Sequence, residues 1–433
     1  MTERVYLHVG TPKSGTTYLQ RVLDHNRERL AAAGVLVVGD EHVDRVHAAL
    51  VVREDPRVRT LPPRQTRSWD KLVAQIRAWK GPSAVLSYEL FSAATREQAE
   101  RALADLAGLD VHVVITARDF GKMVPSAWQE RLKFGLTTPL DQWLPAREKA
   151  DPRREWGWRT MDPASVAERW GASLASDHVH VVTVPRQRRD PDELWHRFAA
   201  ACDLTATTDD LDLGVGLVNE SLGVTAAELL RRVNERIGPP IEGSREQAKW
   251  LRDTLAHGVL ARLGSEPIQI TDDQLTDAQR QAARSVRRVG KAGYDVRGEL
   301  DDLAPSRGGG RSPEDVTDAE LLDTALDTIV QLLLMVRERS QSGPPAGPDV
   351  DGGRLRRVAR ATAQRTSAPY LRHRAAASER RIAELEQIVA ADRALHLRVA
   401  ALQDVVTELL LPLGDRDAEV TGPALKRYHR DSV

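Results

Sequence analysis

The chain has one cysteine in 433 residues, Cys202. No intramolecular disulfide can form, and a lone thiol fits a reducing compartment, the cytoplasm. It also lacks net charge, since 62 basic residues against 63 acidic ones leave −1 at neutral pH. That excludes a global pull toward nucleic acid, and any basic surface has to be local. Long apolar runs are missing too. Ile329 to Val336, the longest near a helix, falls far short of the roughly 20 residues that span a bilayer, so no transmembrane helix is expected. No Cys/His grouping shows metal-ligand spacing, and no metal is expected. Nor is a secretory leader expected, because Arg4 to Gly10 already reads as β. What the chain does have is 41% hydrophobic residues, enough for a real core. Its length exceeds one compact domain, so one large domain with appendages is expected.

Apolar strand patterns at Val5 to Val9, Val35 to Val38, Ala84 to Tyr88, Val111 to Thr116 and His178 to Val184 alternate with helical patterns. The helices are expected at Thr16 to Ala33, Ser68 to Lys80, Thr95 to Leu106, Lys122 to Lys133 and Pro191 to Cys202. That alternation predicts an α/β fold, a central and mostly parallel sheet with helices on both faces. From Asn219 to Tyr294 the pattern is helical, with a break at Gly238-Pro239-Pro240. The composition then suggests an α/β domain over 1–300, a linker over 301–317, a helix over 318–340, a Gly/Pro linker over 341–353 and a basic helical tail over 354–433. In the tail, Leu385, Ile388, Leu395, Val399, Leu402, Val406 and Leu409 make an apolar seam interrupted only by Asp392. The seam covers about three heptads, enough for a short coiled coil and self-association, or for a helix docked on its own core. Arg354, Arg356, Arg357, Arg360, Arg365, Arg372 and Arg374 precede it with no acid among them. They form a solvated charged face or a surface for an anionic partner.

Gly10-Thr11-Pro12-Lys13-Ser14-Gly15-Thr16-Thr17 lies between a strand and a helix. A glycine-rich turn there presents backbone N–H groups to an anion. The frame is that of a P-loop, with one departure: Thr16 stands where a nucleotide triphosphatase carries lysine, and the lysine has moved back to position 13. A kinase loses the group that would reach the β- and γ-phosphates. A lysine within the turn suits a single 5′-phosphate whose substituent is the leaving bond.

Pro12-Lys13-Ser14-Gly15-Thr16-Thr17 resembles the 5′-phosphosulfate loop of the sulfotransferases that use 3′-phosphoadenosine 5′-phosphosulfate (PAPS), whose fold is P-loop-like with a central parallel sheet. The resemblance implies that Lys13 contacts the 5′-phosphate and the bridging oxygen of the donor, that Ser14, Gly15, Thr16 and Thr17 hold the phosphate, and that Tyr18 packs near the adenine. Tyr18 equally suits the core side of its helix. The family's second motif is an arginine at a strand end with a serine eight residues on, both at the donor's 3′-phosphate. Here these are Arg118 and Ser126. An arginine leaving the carboxyl edge of a strand can grip phosphate through its planar fork. Asp119 is a candidate cap for the helix that follows. The family's C-terminal Arg-Lys-Gly loop has only a vague counterpart in Arg287 to Gly293, and its role is not carried over.

Sulfuryl transfer needs an in-line acceptor, a group that takes its proton and positive charge on the leaving oxygen. Metal is not required, because Lys and Arg neutralise the donor. In a sheet of the nucleotide-kinase type the third strand lies beside the first, which brings Glu89 to the loop as the candidate base. His42 and His47 are the alternatives, and His8, on the first strand, reads as a core residue. The expected acceptor is a hydroxyl or amine of a carbohydrate, glycolipid or small molecule, with a pocket drawn from Trp143, Trp156, Trp158 and Trp170 and the helices after 219. Two competing functions remain open: a P-loop kinase for a small molecule or nucleotide, and a non-catalytic sulfotransferase-like scaffold presenting the tail.

Overall fold

In the computed structural model of the protein, the residues described are 2–143, 157–187, 190–204, 211–215, 221–238, 241–264 and 266–341. The chain divides into two units, Met1–Gln341 and Ser342–Val433. The Gly/Pro linker, the arginine cluster and the apolar seam of the tail lie outside the described residues.

Among the described residues six strands build one sheet: β1 (Arg4–His8), β2 (Val35–Val37), β3 (Ser83–Ser87), β4 (Asp110–Ala117), β5 (Val179–Thr183) and β6 (Asp295–Arg297). Every pairing is parallel and the order is β2-β3-β1-β4-β5-β6. The third strand therefore does lie beside the first. Side chains alternate across a strand, and both faces are covered. Val5, Leu7, Leu86, Val113 and Ile115 pack under the helices His42–Val52, Ser68–Ala78, Arg96–Ala104 and Pro163–Trp170. Tyr6, Val85, Val114 and Val182 pack under Thr16–His25, Arg27–Ala32 and Glu193–Ala201. The protein is an α/β fold with a fully parallel sheet between two helical layers. Among the described residues no helix is long and apolar enough to cross a membrane.

Three local readings differ from the sequence expectation. The first helix stops at His25 because Asn26 turns its side chain on the backbone. Its Nδ2 donates to the carbonyls of Val22 (2.9 Å) and Asp212 (2.8 Å), and its Oδ1 accepts from the Asp212 N–H, a competition asparagine offers wherever it meets a helix. A second helix, Arg27–Ala32, restarts after it. Secondly, the region 219–294 is not continuously helical. Ile268 forms a parallel bridge with Arg311, and the sheet gains β6 from Asp295-Val296-Arg297, a triplet with no apolar run.

The third difference concerns the stretch around 301–317 expected as a linker, which is laid along the domain. Leu303 is fully buried among Val181, Phe120 and Val289. Ser306 donates from its N–H (3.1 Å) and hydroxyl to the Asp119 carboxylate. At Gly121 an added Cβ would lie 2.1 Å from the Ser306 carbonyl oxygen, so the chain crosses directly over the start of the helix Phe120–Leu132. Asp119 caps that helix through Oδ1, accepting from the N–H of Gly121 (2.8 Å) and Lys122 (3.2 Å). Its remaining lone pairs are what hold Ser306.

Candidate functional site

The carboxyl edge of β1 opens into the loop Val9 to Gly15, and the helix Thr16–His25 follows. Gly15 has φ +85°, a left-handed backbone that calls for glycine, and a Cβ there would also crowd a methyl of Leu194. Lys13 also takes a left-handed backbone, φ +63°. A non-glycine residue pays strain there, and such strain collects at functional loops. No side chain caps the helix Thr16–His25, in contrast to the Asp119-capped helix next door. Its first-turn N–H groups, which point back into the loop, have no side chain on them.

A buried hydrogen-bond chain props the loop from beneath. Ser14 Oγ donates to the Thr11 carbonyl (2.6 Å) and lies 2.6 Å from Thr116 Oγ1. Thr116 Oγ1 is 3.1 Å from His8 Nε2, and His8 Nδ1 is 2.7 Å from Ser87 Oγ. Since the Ser14 proton is committed to a carbonyl, Thr116 donates to Ser14, His8 donates from Nε2 and Ser87 donates to Nδ1. His8 is therefore a neutral, fully buried core imidazole, and burial pushes its pKa down to about 3. The Ser14 hydroxyl faces down into this chain rather than up into the loop, so what Ser14 offers an anion is its backbone. Thr16 is buried, Thr17 is exposed, and Tyr18 is half-buried with its hydroxyl on Asp192 (3.0 Å) and its ring against the apolar cluster behind the loop.

Arg118, leaving β4, donates from Nη1 to the Lys13 carbonyl (3.2 Å). The two sequence motifs, 105 residues apart, thus meet at one backbone oxygen. The Lys13 ammonium itself rests on Glu130 Oε2 (3.3 Å), which also takes Lys133 Nζ (3.2 Å). Burial raises the Glu130 carboxyl, but the two ammonium groups outweigh it and hold it below the usual carboxylate range. Ser126 lies half-buried on the same helix as Glu130, Phe120–Leu132. Glu89 starts the short helix after β3 and accepts from Gln20 Nε2 (2.9 Å), on the helix that leaves the Val9 to Gly15 loop. His42 is exposed as a residue, but its ring packs edge-on to Tyr88 (5.3 Å). Desolvation and Arg45 push its pKa below the ordinary value while Glu89 pulls the other way, and desolvation lowers His47 as well.

Beside the loop is a cavity of about 240 Å³, bounded by Gly15, Tyr18, Arg118, Lys122, Arg186 and Leu194. It is somewhat smaller than the ~300–1,000 Å³ typical of ligand pockets. Lys122 and Arg186 were not picked out by motif. The available signal was positional: Arg186 follows β5 as Arg118 follows β4, and ligands of parallel sheets gather at carboxyl edges. The expected tryptophan pocket does not form from the described residues. Trp158 and Trp170 are buried, one stacked on Phe120 (5.2 Å) and the other donating to the Phe91 carbonyl (3.0 Å), and Trp143 packs part-buried against the core. Trp156 and Asn219 lie outside the described residues. Arg288 pairs with Asp162 and Glu168, and Gly293 precedes β6 at the opposite edge of the sheet.

A family model described as a domain of unknown function (DUF6752) matches residues 378–432, within the tail. No curated protein matches the chain. Among solved structures, the sulfotransferase domain from the curacin biosynthetic pathway is similar at 11% identity, over 68% of this chain and 99% of that one, with a TM-score of 0.29. A score that low carries no argument about the site.

Proposed function

We propose that the protein is a cytoplasmic sulfotransferase that moves a sulfuryl group from PAPS to a hydroxyl or amine of a carbohydrate, glycolipid or small molecule. The observation that carries this reading is the meeting of Arg118 with the Lys13 turn at an uncapped helix start. It supports the reading because Arg118, the backbone donors of the turn and, once released from Glu130, Lys13 would together meet a nucleotide with separate 5′- and 3′-phosphates. The lone thiol, Cys202, is buried, and burial raises its pKa, which suits an inert residue in a reducing compartment.

In the reaction, the acceptor oxygen attacks sulfur in line, a bond from sulfur to the acceptor forms, and the bond from sulfur to the bridging oxygen breaks. The acceptor proton passes to Glu89, or to His42, which desolvation keeps neutral and able to accept it. Negative charge grows on the 5′-phosphate as adenosine 3′,5′-bisphosphate departs. Lys13 would leave Glu130 to meet it, and Lys133 would keep Glu130 paired. Arg118 and Ser126 would hold the 3′-phosphate, and Gly15 to Tyr18 the 5′ side. Positive charge comes from the protein throughout.

The test is calorimetric binding of adenosine 3′,5′-bisphosphate against ATP, with transfer of labelled sulfate from PAPS to a library of acceptors. Preference for ATP would favour a kinase, and tight bisphosphate binding without transfer to any acceptor would favour a scaffold. Arg118→Ala is expected to weaken bisphosphate binding and raise the donor KM by roughly 10–100-fold, as loss of a charge-assisted contact of ~1.5–3 kcal/mol implies. An unchanged donor KM would take Arg118 out of the nucleotide site. Glu89→Gln is expected to lower kcat by about 10²-fold with bisphosphate affinity retained. Persistence of full turnover would move the base to His42 or His47.

A further inference from the structure

The sheet has a second end, away from the phosphate loop. There β4 and β5 begin, and Val113 stands opposite Val179, so one step back His112 faces His178. Asp110 lies two residues before His112, and His180 two after His178, so all four share one face. The sequence shows only two separate pairs, Asp-x-His and His-x-His, and it is the strand register that assembles them. We propose that Asp110, His112 and His178 bind a divalent transition ion of the zinc type.

The distances fit. His112 Nε2 is 3.3 Å and His178 Nδ1 3.5 Å from Asp110 Oδ1, and all three atoms lie within 4.8 Å of one another. A tetrahedral ion with ligands at about 2.0–2.1 Å keeps them about 3.3–3.4 Å apart. Two edges of that figure are present, and the third closes as the His178 ring, partly exposed and stacked 4.3 Å from His112, turns. Asp110 is held ready by Arg4 Nε on its other oxygen (2.8 Å).

The direction of the hydrogen bonds argues more strongly. His180 Nδ1 is 2.7 Å from an Asp295 oxygen, and a carboxylate only accepts, so that nitrogen carries the hydrogen. His180 Nε2 is then a lone pair, and His112 Nδ1, 2.9 Å away, donates to it. What remains on His112 is an unprotonated Nε2, buried, without a hydrogen-bond partner and 3.3 Å from an Asp110 carboxylate oxygen. A lone pair facing a carboxylate is repulsive unless something positive stands between them. A metal ion satisfies both atoms at once. The Asp295–His180–His112 series is also the carboxylate–histidine support found behind metal-bound imidazoles. Two imidazoles and one carboxylate suit Zn²⁺ or Co²⁺. The fourth position would open toward a cavity of about 520 Å³ that Asp110 and His178 line together with Glu100 and Leu174. An ion there would clamp the starts of β4 and β5.

The experiment titrates Co²⁺ into the chelator-stripped full chain and follows visible absorption, with Zn²⁺ as competitor. One equivalent with the intense bands of a four-coordinate ion is expected, bleached by Zn²⁺. His178→Gln, at a partly exposed ring whose loss the fold should tolerate, and His112→Gln are expected to abolish the bands. Asp295→Asn, which would touch no ion, is expected to weaken binding about 10–100-fold, and His25→Gln to leave it unchanged. The proposal is overturned if wild type takes up no ion, if His178→Gln binds as wild type does, or if Asp295→Asn has no effect.

Discussion

Replacing Lys13 by alanine is expected to slow PAPS-dependent transfer by about 10²–10³-fold, the usual cost of losing one preorganised stabiliser of developing charge. The fold should hardly notice. Alanine at φ +63° carries much the same backbone strain as lysine, and Glu130 keeps Lys133. The deficit should therefore appear in kcat with an unchanged melting temperature. That combination separates a chemical role from a structural one. The ion pair with Glu130 sharpens the expectation, because Lys13 is poised on a neighbouring carboxylate from which an incoming phosphate can draw it. A variant turning over at the wild-type rate would show that the leaving oxygen is neutralised by some other group.

The second large effect is on stability against acid. His8 keeps a folded-state pKa of about 3 against about 6.5 in an open chain. The unfolded state therefore takes up a proton that the folded state refuses, and stability declines as pH drops from about 6.5 toward 3. One such group contributes a slope of about 1.4 kcal/mol per pH unit, or about 5 kcal/mol over the whole window. Charging the ring puts a second hydrogen on Nδ1 and forces the Ser87 hydroxyl to turn from donor to acceptor, while the bonds to Thr116 and Ser14 keep their direction. Urea midpoints measured from pH 7 to pH 4 should fall more steeply in wild type than in His8→Gln. His112 and His180, also pushed down by burial, contribute to both proteins and cancel in the comparison. Equal slopes would mean that His8 titrates as an ordinary imidazole.

What the sequence disclosed and what it hid divide along a physical line. Lys13, Gly15 and Arg118 were legible because each sits at the end of an apolar run, where local pattern alone fixes the strand edge and the turn. The parallel sheet followed from the same alternation. β6 was not legible, since Asp295-Val296-Arg297 has no apolar period and is recruited by its neighbour β5. Nor was the break at Asn26, whose second anchor, the Asp212 carbonyl, lies 186 residues away. The placement of Ser306 on Asp119 depends on a contact across 187 residues, which a Ser/Gly/Arg composition cannot announce. The downward-facing hydroxyl of Ser14 was hidden for a related reason, because the motif gives the residue type and only the packing beneath gives its direction. The grouping of Asp110, His112 and His178 required the register of two strands separated by a long insertion.

The outermost members of the sheet, β2 and β6, are each three residues long, and β6 starts with an acid and ends with a base. A foreign β-segment approaching either rim would find room for only about two or three main-chain contacts before the ladder ran out. Brevity and charge at such margins are how natural proteins discourage edge-to-edge aggregation. Copies of this domain therefore have little means of fusing their sheets into a continuous ribbon.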